Sequence, residues 1–247
     1  MTSSALDIAR AELAPHGVLR AALNLGNTVL VQRSADSGEV QGVSVDLAHE
    51  LAQRLGVPVE FVIFDAAGKV FEALASNRWE LAFLAIDPKR ATEIEFTPPY
   101  LHIEGAYVVR DDAPYRSSAD VDLPGVHVAV GEGSAYALYL GRTLQHARLE
   151  MQPTGAEAFA RFLDHGLEAA AGVRQIACSF AAKHAGLRVL DDSFMTIRQA
   201  LGVPKAHAAA MPFLTAFIEE MKASGAIAES LQRSGQSGAT VAPAASV

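Results

Sequence analysis

Residues 44–64, SVDLAHELAQRLGVPVEFVIF, place an amphipathic helix directly before an apolar strand. Apolar side chains recur at helical spacing through the first part of this stretch, with Ser44 placed to cap the start and Gly56 to end the helix. The run VEFVIF (59–64) that follows is typical of a buried strand. This stretch therefore indicates a fold in which α and β segments alternate.

The same order of segments continues on both sides of this stretch. VLRAAL (18–23) precedes it as a strand, and ELAFLAI (80–86) returns as a continuous apolar strand. A second series begins near residue 105 with AYVVR (106–110) and continues with VHVAV (126–130). Residues 212–235 have the apolar spacing of one long C-terminal helix. Strands that alternate with helices predict an α/β fold.

Length and charge exclude several classes of protein. The chain has 247 residues, half of them hydrophobic, which suits one large α/β unit or two joined lobes. Its 28 acidic and 20 basic residues give a net charge of -8, so we expect neither nucleic-acid nor anionic-lipid binding. The sequence contains no run of about 18 apolar residues, the length that would predict a membrane-spanning helix.

The start of the chain bears on localisation. Residues 1–17, MTSSALDIARAELAPHG, lack the uninterrupted apolar segment of a secretory signal. We therefore expect a cytoplasmic location for the chain as written, and a periplasmic one if the true start lies upstream.

Metal and cysteine chemistry find little support in the sequence. Cys178 is the only cysteine, which excludes an internal disulfide and a cysteine zinc site, and we expect it to pack as a small buried residue. The eight histidines show no metal-ligand spacing. We predict no metal and no cofactor.

Four segments in a fixed order carry a resemblance to a known family. They are GVSVDLAHELAQRLGVPVEF (42–61), NRWELAF (77–83), PKRATEIEFTPPY (88–100) and SADVDLPGVHVAVGEGSAYALYL (118–140). Together they resemble the type-2 periplasmic binding proteins of the family-3 extracellular solute-binding group, which are the amino-acid-binding components of ABC importers. The resemblance runs from about residue 18 to 235.

This resemblance implies two α/β lobes joined by two crossover strands, with a ligand held between them and a hinge motion that closes them. Lobe 1 would comprise residues 18–101 and 196–236, and lobe 2 residues 102–195. Residues 1–17 would form an N-terminal extension, and we expect residues 237–247 to be a disordered tail.

Arg90 is the first ligand-binding candidate. Residues 88–91, Pro-Lys-Arg-Ala, stand where the family usually has Pro-Glu-Arg-Ala, and Arg90 is similar to the arginine that holds the ligand carboxylate. A guanidinium presents a planar pair of donors that matches a carboxylate. For Asp87 we expect a local capping role first and a ligand role second.

A glycine-rich loop supplies the second set of candidates. Gly133, Ser134 and Ala135 resemble the family's loop at a helix N-terminus, whose backbone amides add donors to the same carboxylate. From the residues alone, this loop could equally be a tight turn with Ser134 as a plain N-cap.

Several positions depart from the family pattern. Asn24 stands where an acidic residue commonly receives the ligand ammonium, and Val173 or Arg174 stands where a second acid is usual. Residues 84–86, with Ala85 at their centre, replace hydroxyl-bearing neighbours of the ligand. Recognition of an amino group is therefore not supported.

These departures change the ligand that we expect. An organic acid, a keto acid or an N-modified amino acid fits better than a free amino acid, whose cation would be poorly paired. Arg174 would neutralise a second carboxylate or else lie on the surface. Glu104, on the same strand face as His102, would replace the missing acid or else be solvated.

The predicted function is that of a monomeric solute-binding protein for a small carboxylate-bearing ligand, with an ABC permease as partner if the chain is exported. One alternative is an enzyme of the cyclohexadienyl-dehydratase type, with Glu104 or Glu132 as general acid. A ligand-sensing module that acts through a separate protein is another.

Overall fold

The structure is a computed structural model that describes residues 3–236 and 238–245. Within them the α-helices are α1 (Ser3–Leu13), α2 (Val43–Leu55), α3 (Ala67–Glu72), α4 (Ala135–Thr143), α5 (Gly155–Asp164), α6 (Arg174–Ala181), α7 (Met211–Ala223) and α8 (Ala226–Arg233). The strands are β1 (Leu19–Asn24), β2 (Gln32–Arg33), β3 (Val40–Gln41), β4 (Val59–Phe64), β5 (Leu81–Ala85), β6 (Ile94–Phe96), β7 (Leu101–Arg110), β8 (His127–Gly131), β9 (Arg148–Gln152), β10 (Ala169–Val173), β11 (Leu187–Val189), β12 (Met195–Pro204) and β13 (Thr240–Val241).

The chain divides into two compact α/β units. Unit 2 comprises residues 65–68 and 103–197, and unit 1 comprises the other described residues. The sequence places the lobe boundaries after residues 101 and 195, whereas the two units change over after residues 102 and 197. The sequence also does not predict that residues 65–68 belong to unit 2.

Unit 1 is built on a sheet with the strand order β4-β1-β5-β12. Strand β1 runs parallel to β4 and β5, and β12 runs antiparallel to β5. Every residue of β5 is buried, as its continuous apolar sequence predicts. The predicted strand at 59–64 is confirmed as β4.

Helix α2 ends where its sequence predicts and starts in a different way. Gly56 closes it in the left-handed conformation, with φ of 67°. The expected cap, Ser44, lies inside the helix, and Gly42 occupies the N-cap position. The Ser44 amide donates to the Leu30 oxygen at 3.2 Å, so this early amide is satisfied by backbone and needs no side-chain cap.

The C-terminal helical region is two helices, not the single one that the apolar spacing predicts. Gly225, with φ of 83°, separates α7 from α8. Apolar residues on both sides, Met221 and Ile227, are still buried in unit 1. The apolar spacing thus continues across a break that only the glycine signals.

The tail that we expected to be disordered contains the short strand β13. Thr240 and Val241 pair with the first residues of β7, and the Ala242 amide donates to the Tyr100 oxygen at 3.0 Å. Lys222 Nζ also donates to the Pro243 oxygen at 2.8 Å. Main-chain bonds to an open strand edge order this segment even though its sequence has little to bury. Residues 237, 246 and 247 lie outside the described residues.

The N-terminal extension forms helix α1 within unit 1. Arg10 Nε donates to the Leu55 oxygen at the end of α2, at 2.6 Å. Glu12 lies 2.9 Å from His207 Nδ1. Residues 3–13 are therefore an integral part of unit 1, and Met1 and Thr2 lie outside the described residues.

Unit 2 has a sheet with the strand order β7-β10-β8-β9, and β11 pairs with β7. Strands β8, β9 and β10 are parallel, whereas β7 is antiparallel to β10 and β11. Apolar side chains pack on both faces, with Val128 in one cluster and Ala129 in the other. The α/β fold class is confirmed.

Among residues 3–236 and 238–245, none of the helices is long and apolar enough to cross a bilayer. Neither does that part of the chain gather three or more His, Cys, Asp or Glu side chains into a metal site. Cys178 is exposed on α6, so the expectation that it is buried is wrong.

Candidate functional site

Arg90 is positioned by a tight turn after β5. Asp87 Oδ1 accepts a hydrogen bond from the Lys89 amide at 2.8 Å, and the Asp87 carbonyl accepts one from the Ala91 amide at 2.9 Å. A short 3-10 helix, Arg90–Thr92, follows. Asp87 thus shapes the turn locally, although the helix starts later than Pro88 and is not an α-helix.

The Arg90 side chain is a buried cation. Only 1% of the residue is exposed, and Nη1 donates to the Ala85 oxygen at 2.9 Å. Burial lowers the pKa of the Arg90 guanidinium to about 10, and the Asp87 carboxylate opposes that shift. The guanidinium therefore remains charged at neutral pH, held in a place from which water is largely excluded.

The other candidates in unit 1 act through backbone or turn contacts. Ala85 contributes its carbonyl oxygen, which binds Arg90. Asn24 ends β1, and its Oδ1 accepts from the Gly26 amide at 3.0 Å. Asn24 therefore shapes a turn at the position where the family has an acid.

The glycine-rich loop of unit 2 is the N-terminus of α4. Ser134 is its N-cap, and its Oγ accepts from the Ala137 amide at 3.1 Å. The Ser134 amide donates to the Gly131 oxygen at 3.2 Å. Because the Ser134 and Ala137 amides are thus occupied, any anion-binding capacity of this loop lies in the first-turn amides of Ala135 and Tyr136.

Gly133 has a second structural role. Its φ is 65°, and a Cβ built on it would lie 2.6 Å from the Gly68 Cα. A Cβ on Gly68 would in turn lie 2.8 Å from the Glu132 oxygen. The backbone of residues 65–68 thus packs against this loop at a distance that only glycine allows.

Glu104 and Arg174 are brought together. Arg174 Nε lies 2.5 Å from Glu104 Oε2. Its Nη1 donates to the Leu190 oxygen at 3.0 Å and its Nη2 to the Asp192 oxygen at 2.6 Å. Arg174 is thus held by groups of unit 2, and Glu104 already has a cationic partner.

The remaining acidic candidate and His102 lie in different settings. Glu132 is exposed, and its amide donates to the Gln152 oxygen at 2.7 Å. His102 is half-buried, and burial, followed by the charges of Arg198 and Lys222, lowers its pKa. Glu132 therefore lacks the apolar, enclosed setting in which a carboxyl group acts as a general acid.

Gln199 is a buried polar residue that the sequence patterns do not single out as a site residue. It is 4% exposed, and its cross-strand partner on β5 is Ala85. The available signal was a polar residue followed by the apolar run ALGV (200–203) in a predicted strand. Buried amides in such runs are costly unless they have a partner.

Comparisons with known proteins identify the family. The family model for bacterial extracellular solute-binding proteins, family 3, matches residues 29–236. No curated protein sequence matches the chain.

Solved structures match the fold at low sequence identity. A mutant of ArgBP from T. maritima has a TM-score of 0.77 at 22% identity, over 91% of this chain and 98% of that one. An amino acid ABC transporter substrate-binding protein from Streptococcus pneumoniae, bound to L-arginine, has a TM-score of 0.77 at 20% identity, over 95% and 99%. The ancestral amino acid-binding protein AncCDT-1, a precursor of cyclohexadienyl dehydratase, has a TM-score of 0.75 at 23% identity, over 91% and 98%.

At these identities the solved structures establish the fold, and the family model establishes membership. The chain belongs to the family-3 bacterial extracellular solute-binding proteins and has their two-lobed, type-2 fold.

Proposed function

We propose that this protein binds a small solute that carries a carboxylate, with Arg90 as the main charged contact. The observation that carries the proposal is the burial of the Arg90 guanidinium, which is 1% exposed and still charged at neutral pH. As a member of a solute-binding family, it would present this solute to an ABC permease.

The charge of Arg90 suits this role. Removing a cation from water costs free energy, and a carboxylate that binds it offsets part of that cost. The bond from Nη1 to the Ala85 oxygen and the burial of the side chain restrain the guanidinium before a ligand arrives. A planar, oriented donor group favours a bidentate carboxylate over a spherical anion.

The N-terminus of α4, in unit 2, is a separate candidate anion-binding feature. The Ala135 amide lies in the first turn, where helix geometry provides no intrahelical acceptor. Positive φ at Gly133 shapes the chain that leads into this turn. Backbone donors of this kind bind an anion without adding a charge.

An enzymatic role has less support. A general acid needs a carboxyl group in an apolar, water-excluded setting. The Glu104 side chain is 52% exposed and paired with Arg174, and Glu132 is exposed on a loop. The likeness to AncCDT-1 is one of fold alone.

The test is a thermal-shift screen against matched carboxylates, amines and alcohols, comparing the parent with Arg90→Ala. A ligand at about 100 times its Kd adds roughly 2.7 kcal/mol, or roughly 5–10 °C for a chain of this size. We expect the carboxylates, but not the matched amines or alcohols, to raise the melting temperature of the parent. Arg90→Ala should abolish that increase.

Two control variants sharpen the result. Arg90→Lys keeps the charge and loses the fork of donors, so it should retain a weaker shift. Arg116→Ala, which removes an exposed arginine of unit 2, should behave as the parent. Equal carboxylate affinity in the parent and Arg90→Ala would reject this site, and a parent that responds to no carboxylate would reject the function.

A further inference from the structure

Gln199 carries a buried hydrogen-bond acceptor without a partner. The residue is 4% exposed, and its Oε1 has no hydrogen-bond partner among the described residues. Its backbone oxygen is satisfied, because it accepts from the Tyr100 amide at 2.8 Å. The unmet capacity therefore belongs to the side chain alone.

The strand register places this acceptor beside the Arg90 turn. Gln199 is directly opposite Ala85 in the antiparallel pair of β12 and β5. Because the next pair is joined by a bond from the Ile86 amide to the Arg198 oxygen, at 2.9 Å, the Gln199 and Ala85 pair is of the non-hydrogen-bonded kind. Side chains of such a pair lie close together on one face. Gln199 thus neighbours the residue whose carbonyl holds the Arg90 guanidinium.

An unsatisfied acceptor in a protein interior is destabilising, and such groups are uncommon in native structures. A ligand that donates a hydrogen bond removes the cost when it binds, which makes the residue a selector for such ligands. Because the Gln199 amide is neutral, it suits a neutral donor better than an ammonium, which needs an opposite charge when it leaves water.

We propose that Gln199 Oε1 accepts a hydrogen bond from a hydroxyl or amide N–H next to the ligand carboxylate, so that the protein prefers 2-hydroxy acids and N-acyl amino acids to 2-oxo acids. This inference rests on the proposed function, since it places the donor beside the carboxylate that Arg90 binds. A site that hydrogen-bonds a ligand hydroxyl discriminates strongly against the analogue that lacks it.

The experiment uses matched pairs of probes in titration calorimetry. These are lactate with pyruvate, 2-hydroxyglutarate with 2-oxoglutarate, and phenyllactate with phenylpyruvate. We expect the parent to bind the hydroxy acid of a pair at least about 10-fold more tightly. Gln199→Leu and Gln199→Met should reduce this ratio to about 3-fold or less, through weaker binding of the hydroxy acid.

A measurement without ligand provides an independent readout. Because Gln199→Leu and Gln199→Met remove an unsatisfied acceptor, the free variants should unfold at the same temperature as the parent or higher. Gln41→Leu, at an exposed position of β3, is the matched control. A clear fall in melting temperature for both Gln199 variants, beyond that of the control, would assign Gln199 a structural role and overturn the inference.

The outcomes separate the two proposals. If carboxylates bind through Arg90 but the ratio is the same in the parent and the Gln199 variants, or if the parent prefers 2-oxo acids, the inference alone is wrong. If no carboxylate binds the parent, the proposed function is wrong and the inference falls with it.

Discussion

Arg174 and Glu104, which lie 70 positions apart in the chain, form an ion pair with 2.5 Å between Nε and Oε2. The sequence presents them as two separate departures from the family pattern, one a cation in place of an acid and the other an acid on a crossover strand. In the structure the positive charge of Arg174 and the negative charge of Glu104 compensate each other. The Leu190 and Asp192 oxygens each bind one donor on the two remaining nitrogens of Arg174, and Glu104 already offsets the positive charge that would attract a second ligand carboxylate.

Arg174→Ala should therefore affect stability more than ligand preference. Loss of one ion pair and two bonds to backbone oxygens should lower the free energy of unfolding by about 1–2 kcal/mol, measured by urea denaturation. Glu104→Gln keeps the backbone bonds and should cost less than about 1 kcal/mol. We expect the ratio of succinate to butyrate affinity to be the same in the parent and in Arg174→Ala. Selective loss of succinate binding would instead support the sequence-based role of Arg174.

Local signals account for the parts of the fold that the sequence predicts well. Gly56 ends α2 and Ser134 caps α4, and each acts on amides or carbonyls within a few residues. The apolar run of β5 predicts burial directly. For Arg90, the family resemblance gives the position, and the structure adds the turn and the bond to Ala85 that orient it.

Contacts between distant segments account for the parts that it does not predict. The partner of Arg174 and the strand that pairs with β13 depend on which residues the fold brings together. Ser44 carries a capping side chain, but helix α2 begins before it, where the Leu30 oxygen of another segment accepts from the Ser44 amide. Gln199 has an ordinary polar side chain in the sequence, and only its burial opposite Ala85 makes it a candidate ligand contact.

Gly133 should be intolerant of any side chain. Gly133→Ala places a Cβ 2.6 Å from the Gly68 Cα and also requires a φ of 65°, so both a clash and backbone strain oppose it. The matched control is Gly125→Ala, where φ is 86° and nothing lies within 4 Å of the new Cβ. We expect about 1 kcal/mol of destabilisation in the control and about 2–4 kcal/mol in Gly133→Ala, measured by chemical denaturation. Equal losses would show that the close approach to Gly68 contributes nothing.

The C-terminal tail should contribute to stability. Deletion of residues 238–247 removes β13, the bond from the Ala242 amide to Tyr100, and the bond from Lys222 to Pro243. Because ordering the tail offsets part of this gain, we expect a loss of about 1–2 kcal/mol, or roughly 2–8 °C in melting temperature. Ala242→Pro removes one donor at constant length and should reproduce part of the loss. An unchanged melting temperature in the truncated protein would favour the disordered tail that the sequence predicts.

His102 should make the protein less stable in mild acid. Burial, with Arg198 and Lys222 nearby, lowers its pKa in the folded state below the ordinary value of about 6.5. As the pH falls through about 6.5, His102 in the unfolded chain binds a proton more readily than His102 in the folded protein does. The stability that neutral His102 contributes is therefore fully present above about pH 6.5 and is lost progressively at lower pH. We expect His102→Gln to lose less stability than the parent between about pH 7.5 and about pH 5, compared by thermal unfolding. His16→Gln, at an exposed position, serves as the control and should follow the parent. Parallel profiles for the parent and His102→Gln would mean that other groups carry the acid sensitivity.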